Sequence, residues 1–173
     1  MDAKQRSLNN LIAKTLSEFE NWLMTSGWKG KENDCVNLFA HAFLFKEIRP
    51  GNPIEDFAQV GIEVGVPQPT GVGTKAGARK DLVIWDQPRM TTFDAAWRPV
   101  KIPAAIIEWK ARRTKRRAAK LDPHDLNWIT QMSVQNDNFL GYCVTVDFTE
   151  TERRVYSVKF FRGVRTDDFH RVS

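Results

Sequence analysis

Asp81, Glu108 and Lys110 are the residues whose types and spacing point to chemistry. They lie in two apolar segments, RKDLVIW (Arg79 to Trp85) and PAAIIEWKA (Pro103 to Ala111), at places where a half-buried strand would carry hydrophobes. If both segments are strands, alternation puts Asp81 on one face with Val83 and Trp85, and Glu108 and Lys110 on a face with Ile106. Leu82, Ile84, Ile107 and Trp109 then fill the opposite face. Pairing the strands side by side gathers two carboxylates and an ammonium at the rim of an apolar sheet, which is costly unless they bind a metal or one another. Two hard carboxylates beside a lysine suit a Mg²⁺ site with its chemistry attached. The plainer account is a structural ion-pair network on a sheet face, where exposed pairs contribute about 0–1 kcal/mol.

The elements that must position these residues are readable from periodicity. Apolar residues recur at three and four from Ser7 to Ser26, predicting an amphipathic helix that Gly27 stops. A second helix is expected from about Glu32 to Lys46, ended by RPGNP, with Glu32 in its first turn, where a carboxylate complements the helix dipole. In AQVGIEVGVPQP, Val60, Ile62, Val64 and Val66 alternate with polar residues and glycines, a strand with one apolar face. Glu63 on its other face is either solvated or an extra ligand. TGVGTKAGARK lacks the ending of a phosphate-binding Walker loop and reads as a hairpin presenting Lys75, Arg79 and Lys80 to phosphates, or as a plain turn. Residues 87–102 are irregular, and Trp97 within them either stacks on a base or plugs the sheet edge, with plugging the expectation. Asp122, Pro123 and Asp125 start a helix that reaches about Gln135, and FLGYCVTVDF and RRVYSVKFF follow as an antiparallel hairpin. In the helix, Asp125 and Gln131 read as capping or solvated residues before they read as site residues.

The Asp followed on the next strand by Glu108, Trp109 and Lys110 resembles the PD-(D/E)xK nuclease superfamily, in which an Asp opens one core strand and an E-x-K sits on the next. The Pro of that pattern is replaced here by Lys80. KGKENDCV also resembles the basic, Gly-containing entry to an acidic helix in the superfamily's Holliday-junction resolvases. The likeness covers roughly Lys31 to Phe148 and implies an α/β fold, a mixed β-sheet flanked by helices with an αβββαβ restriction-endonuclease-like core, and residues 1–27 as an added N-terminal helix. It implies Asp81, Glu108, the main-chain carbonyl of Trp109 and Glu32 as ligands of Mg²⁺, with Mn²⁺ as the alternative ion, and Lys110 as the residue that orients or deprotonates water or stabilises charge on phosphorus. The function implied is metal-dependent hydrolysis of phosphodiester bonds, with DNA favoured. A nuclease-like fold kept as a non-catalytic nucleic-acid- or partner-binding module is the alternative. A homodimer would supply the two sites that cutting both strands commonly needs.

Length and composition fit one domain, since a chain of 173 residues can bury roughly 70% of its unfolded surface. The start of the chain lacks the apolar core of a signal peptide and no run is long enough to span a bilayer, so a cytoplasmic protein is expected, with no membrane partner. Cys35 and Cys143 belong to no CxxC or Cys/His cluster and read as buried free thiols. The formal charge of +5 suits a polyanionic partner, and its placement is more telling than its size. In KARRTKRRAAK, which begins at Lys110, seven of eleven residues are cationic, so a loop leaving the site carries Arg112, Arg113, Lys115, Arg116 and Arg117 to where a scissile phosphate must lie. Replacing Arg112, Arg113, Arg116 and Arg117 with Gln should weaken nucleic-acid binding on all sequences and flatten its salt dependence by about 0.9 in log–log slope per lost contact. A titration of affinity against salt checks this, and an unchanged slope would make the run a solvated face.

Overall fold

A computed structural model of the chain describes residues 1–73, 75, 77–90, 92–113, 121–149 and 153–171, and in it three helices pack on the two faces of a six-stranded mixed sheet. The first helix, α1, spans Ala3–Ser26 and starts earlier than periodicity indicates because Asp2 caps it: its carboxylate accepts from the Gln5 amide at 2.8 Å while Gln5 returns a bond to the Asp2 amide. Gly27, at φ 73°, ends it in a left-handed turn. The second helix, α2, spans Glu32–Phe39 and passes into a π turn at Ala40–Leu44 and a 3-10 turn at Phe45–Glu47. Helical winding thus covers the expected range, in three geometries.

The strands are β1 (Val60–Pro67), β2 (Gly77–Ile84), β3 (Ala105–Arg112), β4 (Leu140–Asp147), β5 (Arg154–Phe161) and β6 (Val164–Asp167), in that spatial order. All neighbours are antiparallel except β3 and β4, which run parallel because helix α3 (Pro123–Gln135) carries the chain across between them. The α3 start is as expected, with Asp122 accepting from the His124 amide at 2.8 Å and Pro123 in the first turn. Strand β6 was not expected. Its residues are all exposed and show no alternation, and the signal for it is the Arg162–Gly163 turn, with φ values of 50° and 74°.

Two apolar layers result. Leu8, Ile12, Leu16, Phe19, Val36 and Phe39 pack on one sheet face with Leu82, Ile107, Trp109 and Tyr142. Trp128, Ile129 and Met132 of α3 pack on the other with Val83, Ile106, Cys143 and Val158. Along β1 the expected single apolar face fails: Val60 and Ile62 join the first layer, whereas Val64 joins the second with Val66. The change falls at Glu63, which has φ 56°, and the pairing resumes in the same register at Val64↔Lys80. Gly61 permits it, because a Cβ there would lie 2.4 Å from a Val64 methyl. Strand β2 follows its partner: Leu82 and Ile84 face α1 and α2, while Ala78 faces α3. Cys35 and Cys143 are buried free thiols, and no helix among the described residues is long and apolar enough to cross a membrane. Trp97 does not plug the sheet edge; it is 82% exposed.

The chain's last described turn is pinned to α1 by buried charge. Glu20, only 9% exposed, contacts His170 Nε2 at 2.9 Å and accepts from the Val155 amide at 3.1 Å and from the Arg171 guanidinium. An ionised Glu20 only accepts, so His170 donates to it from Nε2, and Ser157 Oγ lies 2.5 Å from the other ring nitrogen, Nδ1. Burial pushes the Glu20 carboxyl up, but the bonds from His170, Arg171 and Val155 outweigh it and hold it at about 2, below the ordinary 4.5. A depressed carboxyl stabilises the fold above the unfolded pKa and loses that contribution as pH falls toward the folded one. Stability should therefore decline by roughly 3 kcal/mol from this group between pH 4.5 and 2. Urea unfolding across that range should show the decline in wild type and a flatter limb in Glu20→Gln.

Candidate active site

Strands β2 and β3 pair only at Leu82↔Ile107, Val83↔Ile106 and Ile84↔Ala105, whereas β3 stays paired with β4 as far as Arg112↔Asp147. Beyond Leu82 the two strands part. The Trp109 amide, which points toward β2, donates instead to Asp81 Oδ2 at 2.7 Å, so a side-chain carboxylate stands in for a main-chain acceptor. The Trp109 ring is fully buried beneath this bond, edge-on to Phe19 at 5.6 Å and tilted on Phe39 at 5.1 Å. Asp81 is thereby fixed at the mouth of the split.

The charged residues meet there. Lys80, turned toward α3 with the rest of outer β2, forms an ion pair with Glu108, each side chain 5% exposed, and its Nζ lies 3.9 Å from the centre of the Trp128 ring. Lys110 joins the first turns of two helices, reaching Glu32 Oε1 of α2 at 3.3 Å and Asp125 Oδ2 of α3 at 3.1 Å. Asp81, Glu108, Lys110, His124 and Asp125 line a cleft of about 270 Å³. A larger cavity of about 600 Å³ lies at the start of α1, lined by Gln5, Trp85, Asn136 and Asn138, and touches none of this chemistry.

The electrostatics follow from crowding. Burial raises Glu108 above its ordinary value against the pull of Lys80, with Asp81 and Asp125 adding to the rise. Burial likewise lifts Glu32 above its ordinary value, opposed by Lys110 and assisted by Asp81 and Asp125. For Lys110, burial opposes the ammonium, but Asp125 and Glu32 prevail and hold its pKa above the ordinary 10.5, so it is a cation at neutral pH. That disfavours proton abstraction by Lys110 and suits the stabilisation of developing negative charge.

Asp81, Glu108, Lys110 and Glu32 are thus brought together, but not on the pattern expected. Alternation set Lys80 away from Glu108 and the hairpin reading gave it to phosphates; it is buried and neutralised by Glu108, because β2 changes face at Asp81. Arg112 is also engaged, with Nη1 2.9 Å from Asp147 Oδ2. Lys75, Arg79 and Arg113 are exposed. Lys115, Arg116 and Arg117 lie outside the described residues. Glu63 pairs with Arg79 at 3.8 Å and does not line the cleft. Asp125 is the cleft residue that sequence reasoning ranked too low; its helix-start position explained it fully, and only its contact with Lys110 shows what else it does.

For a divalent ion the donor types fit: four carboxylates, Glu32, Asp81, Glu108 and Asp125, stand against two ammoniums, and buried Glu108 Oε1 and Asp125 Oδ2 have no hydrogen bond beyond their ion-pair contacts. The arrangement is nevertheless that of a closed network. Among the described residues no group of three or more His, Cys, Asp or Glu side chains is gathered to hold a metal. A scan against protein-family models and searches of curated proteins and of solved structures return no match to this chain. Among the described residues the architecture is an α/β fold with a mixed six-stranded sheet and three helices.

Lys80→Met tests the network. A carboxyl raised in the folded state contributes stability below the unfolded pKa of 4.5 that is lost as pH rises through the higher folded value. Without Lys80, whose charge pulls Glu108 down, the folded value moves higher still. Urea unfolding of Lys80→Met should therefore show a loss of stability that continues to higher pH than in wild type, with the variant's deficit smallest at the acid end of the range.

Proposed function

We propose that this chain is a metal-dependent nuclease of the PD-(D/E)xK type, hydrolysing phosphodiester bonds of nucleic acid, DNA in the first instance. The observation that carries the reading is the split between β2 and β3, where Asp81, Glu108 and Lys110 converge with an acid from each of two helix starts. Asp81, Glu108 and the Trp109 carbonyl would hold Mg²⁺ or Mn²⁺, with Glu32 as a further ligand. Bound there, the ion would supply Lewis-acid polarisation of the phosphate and a water of lowered pKa. The hydrogen bond from the Trp109 amide fixes the Asp81 carboxylate, leaving its other oxygen for ligation. Lys110, kept cationic by Asp125 and Glu32, stabilises the charge that develops on the phosphoryl oxygens. Arg79 and Arg113, both exposed, hold the strand near the cleft.

The buried Lys80–Glu108 pair favours a second reading, a nuclease-like fold that binds nucleic acid or a partner without cutting, because it neutralises one of the ligands. Incubation of the purified protein with labelled linear, circular, single-stranded and branched DNA, in Mg²⁺, Mn²⁺ or EDTA, separates the two. On the nuclease reading, cleavage needs metal, disappears in Asp81→Asn and Glu108→Gln with the fold intact, and drops about 100-fold or more in Lys110→Ala, as for other charge-stabilising groups. Cleavage within a few-fold of wild type in either carboxylate variant would overturn the site, and binding without cleavage in every metal would leave the non-catalytic module.

A further inference from the structure

The segment from Thr92 to Val100 lacks a regular element yet is tightly built. Asp94 Oδ1 accepts from the amides of Ala96 and Arg98, both at 2.9 Å, while the Asp94 amide donates to the Arg98 carbonyl and the Trp97 amide to the Asp94 carbonyl, both at 3.0 Å. Phe93 and Pro99 bridge the base of the loop, and the Val100 amide donates to Thr92 at 3.0 Å. This scaffold holds Trp97 at φ 57°, a conformation that bulky residues adopt only under constraint. The indole is nonetheless 82% exposed, whereas the other five tryptophans are buried or half-buried. A constrained backbone that leaves a large side chain in solvent motivates a functional reading.

The loop lies against the β1–β2 hairpin on a defined face. A Cβ at Gly77 would come 2.6 Å from Pro99, so this position must stay bare, and one at Gly65 would reach Phe93 at 3.8 Å. Gly65 pairs with Arg79, whose side chain is 76% exposed, and alternation sets Arg79 on the face of Gly77. The Phe93 and Trp97 rings, 6.2 Å apart, therefore stand over the strand pair that carries Arg79; Arg79 pairs with Glu63 at 3.8 Å and Arg98 with Asp94 at 2.8 Å, and Lys75 and Lys101 are exposed on the flanking segments. An exposed aromatic face bordered by lysines is an arrangement that stacks bases and holds phosphates without reading sequence.

We propose that Trp97 is a stacking platform for an unpaired base, and that the nucleic acid brought to the hairpin includes a single-stranded stretch. The proposal deepens the nuclease reading and rests on it for the biological role, but not for the binding itself. Stacking needs a free π-face, which a base in an intact duplex does not offer.

The test is binding in EDTA, where cleavage plays no part, using fluorescein-labelled oligothymidylate and a duplex of the same length. Trp97→Gly should keep or raise the melting temperature, since Gly takes this φ freely, yet lose roughly ten-fold in affinity for the single strand, with little change for the duplex. Trp97→Phe should retain most of the affinity, and single strand should quench tryptophan emission in wild type and not in Trp97→Phe. Unchanged single-strand affinity in Trp97→Gly, or equal losses on both ligands, would overturn the platform. So would a shift from dimer to monomer by sedimentation in Trp97→Gly, which would make the loop a contact between copies. Cleavage lost in neither Asp81→Asn nor Glu108→Gln would overturn the nuclease reading and leave these binding results standing.

Discussion

The hydrogen bond from the Trp109 amide to Asp81 is the constraint on which the site depends. A strand that leaves its neighbour must satisfy the main-chain groups it abandons, because an unpaired buried amide costs about 1–3 kcal/mol. Asp81 does this with a side chain, so β2 can turn away after Leu82 without stranding Trp109. The same turn carries Lys80 to the α3 face, where Glu108 and the Trp128 ring receive it. Glu108 and Lys110, left beyond the ladder, gain the space that a continuous sheet would fill with β2.

Charge then holds the opening in shape. Four carboxylates in one small region would repel one another, and two lysines interleave with them so that Glu108 meets Lys80 while Glu32 and Asp125 share Lys110. Lys110 ties α2 to α3 across the end of the sheet, which fixes the two helix starts relative to the strands. Burial makes each pair sensitive to loss of its partner, since an unpaired buried charge is far costlier than a paired one is beneficial. The lysines therefore have a structural task whatever else they do, and Lys110 can serve chemistry only as a cation.

Much of this frame was legible in the chain. The Asp122–Pro123 start of α3, the apolar runs of β2 and β3 and the β4–β5 hairpin follow from caps and periodicity, which act within a few residues. That Asp81, Glu108 and Lys110 lie together was also legible, because residue type alone marks a charge in an apolar strand, whereas Glu32 in its helix turn entered only through the resemblance. The change of face at Glu63 and Asp81 was not, since Val60 to Val66 alternate without interruption and a single positive φ leaves no trace in hydrophobic pattern. Lys80 was misplaced for the same reason. Asp125 was hidden by a sufficient local explanation, and β6 by having no buried side at all.

The distribution of charge bears on how such a site meets its partner. The chain carries a formal +5, while around the cleft Glu32, Asp81, Glu108 and Asp125 are interleaved with Lys80, Lys110 and the guanidinium of Arg79, so the opening is close to balanced where the chain as a whole is basic. A polyanion would meet the exposed Arg79 and Arg113 first, with Asp81 and its neighbours set deeper among their cations. A phosphate entering the cleft would compete with Glu32 and Asp125 for Lys110, so occupancy of the cleft and the tie between the two helix starts are coupled through one ammonium.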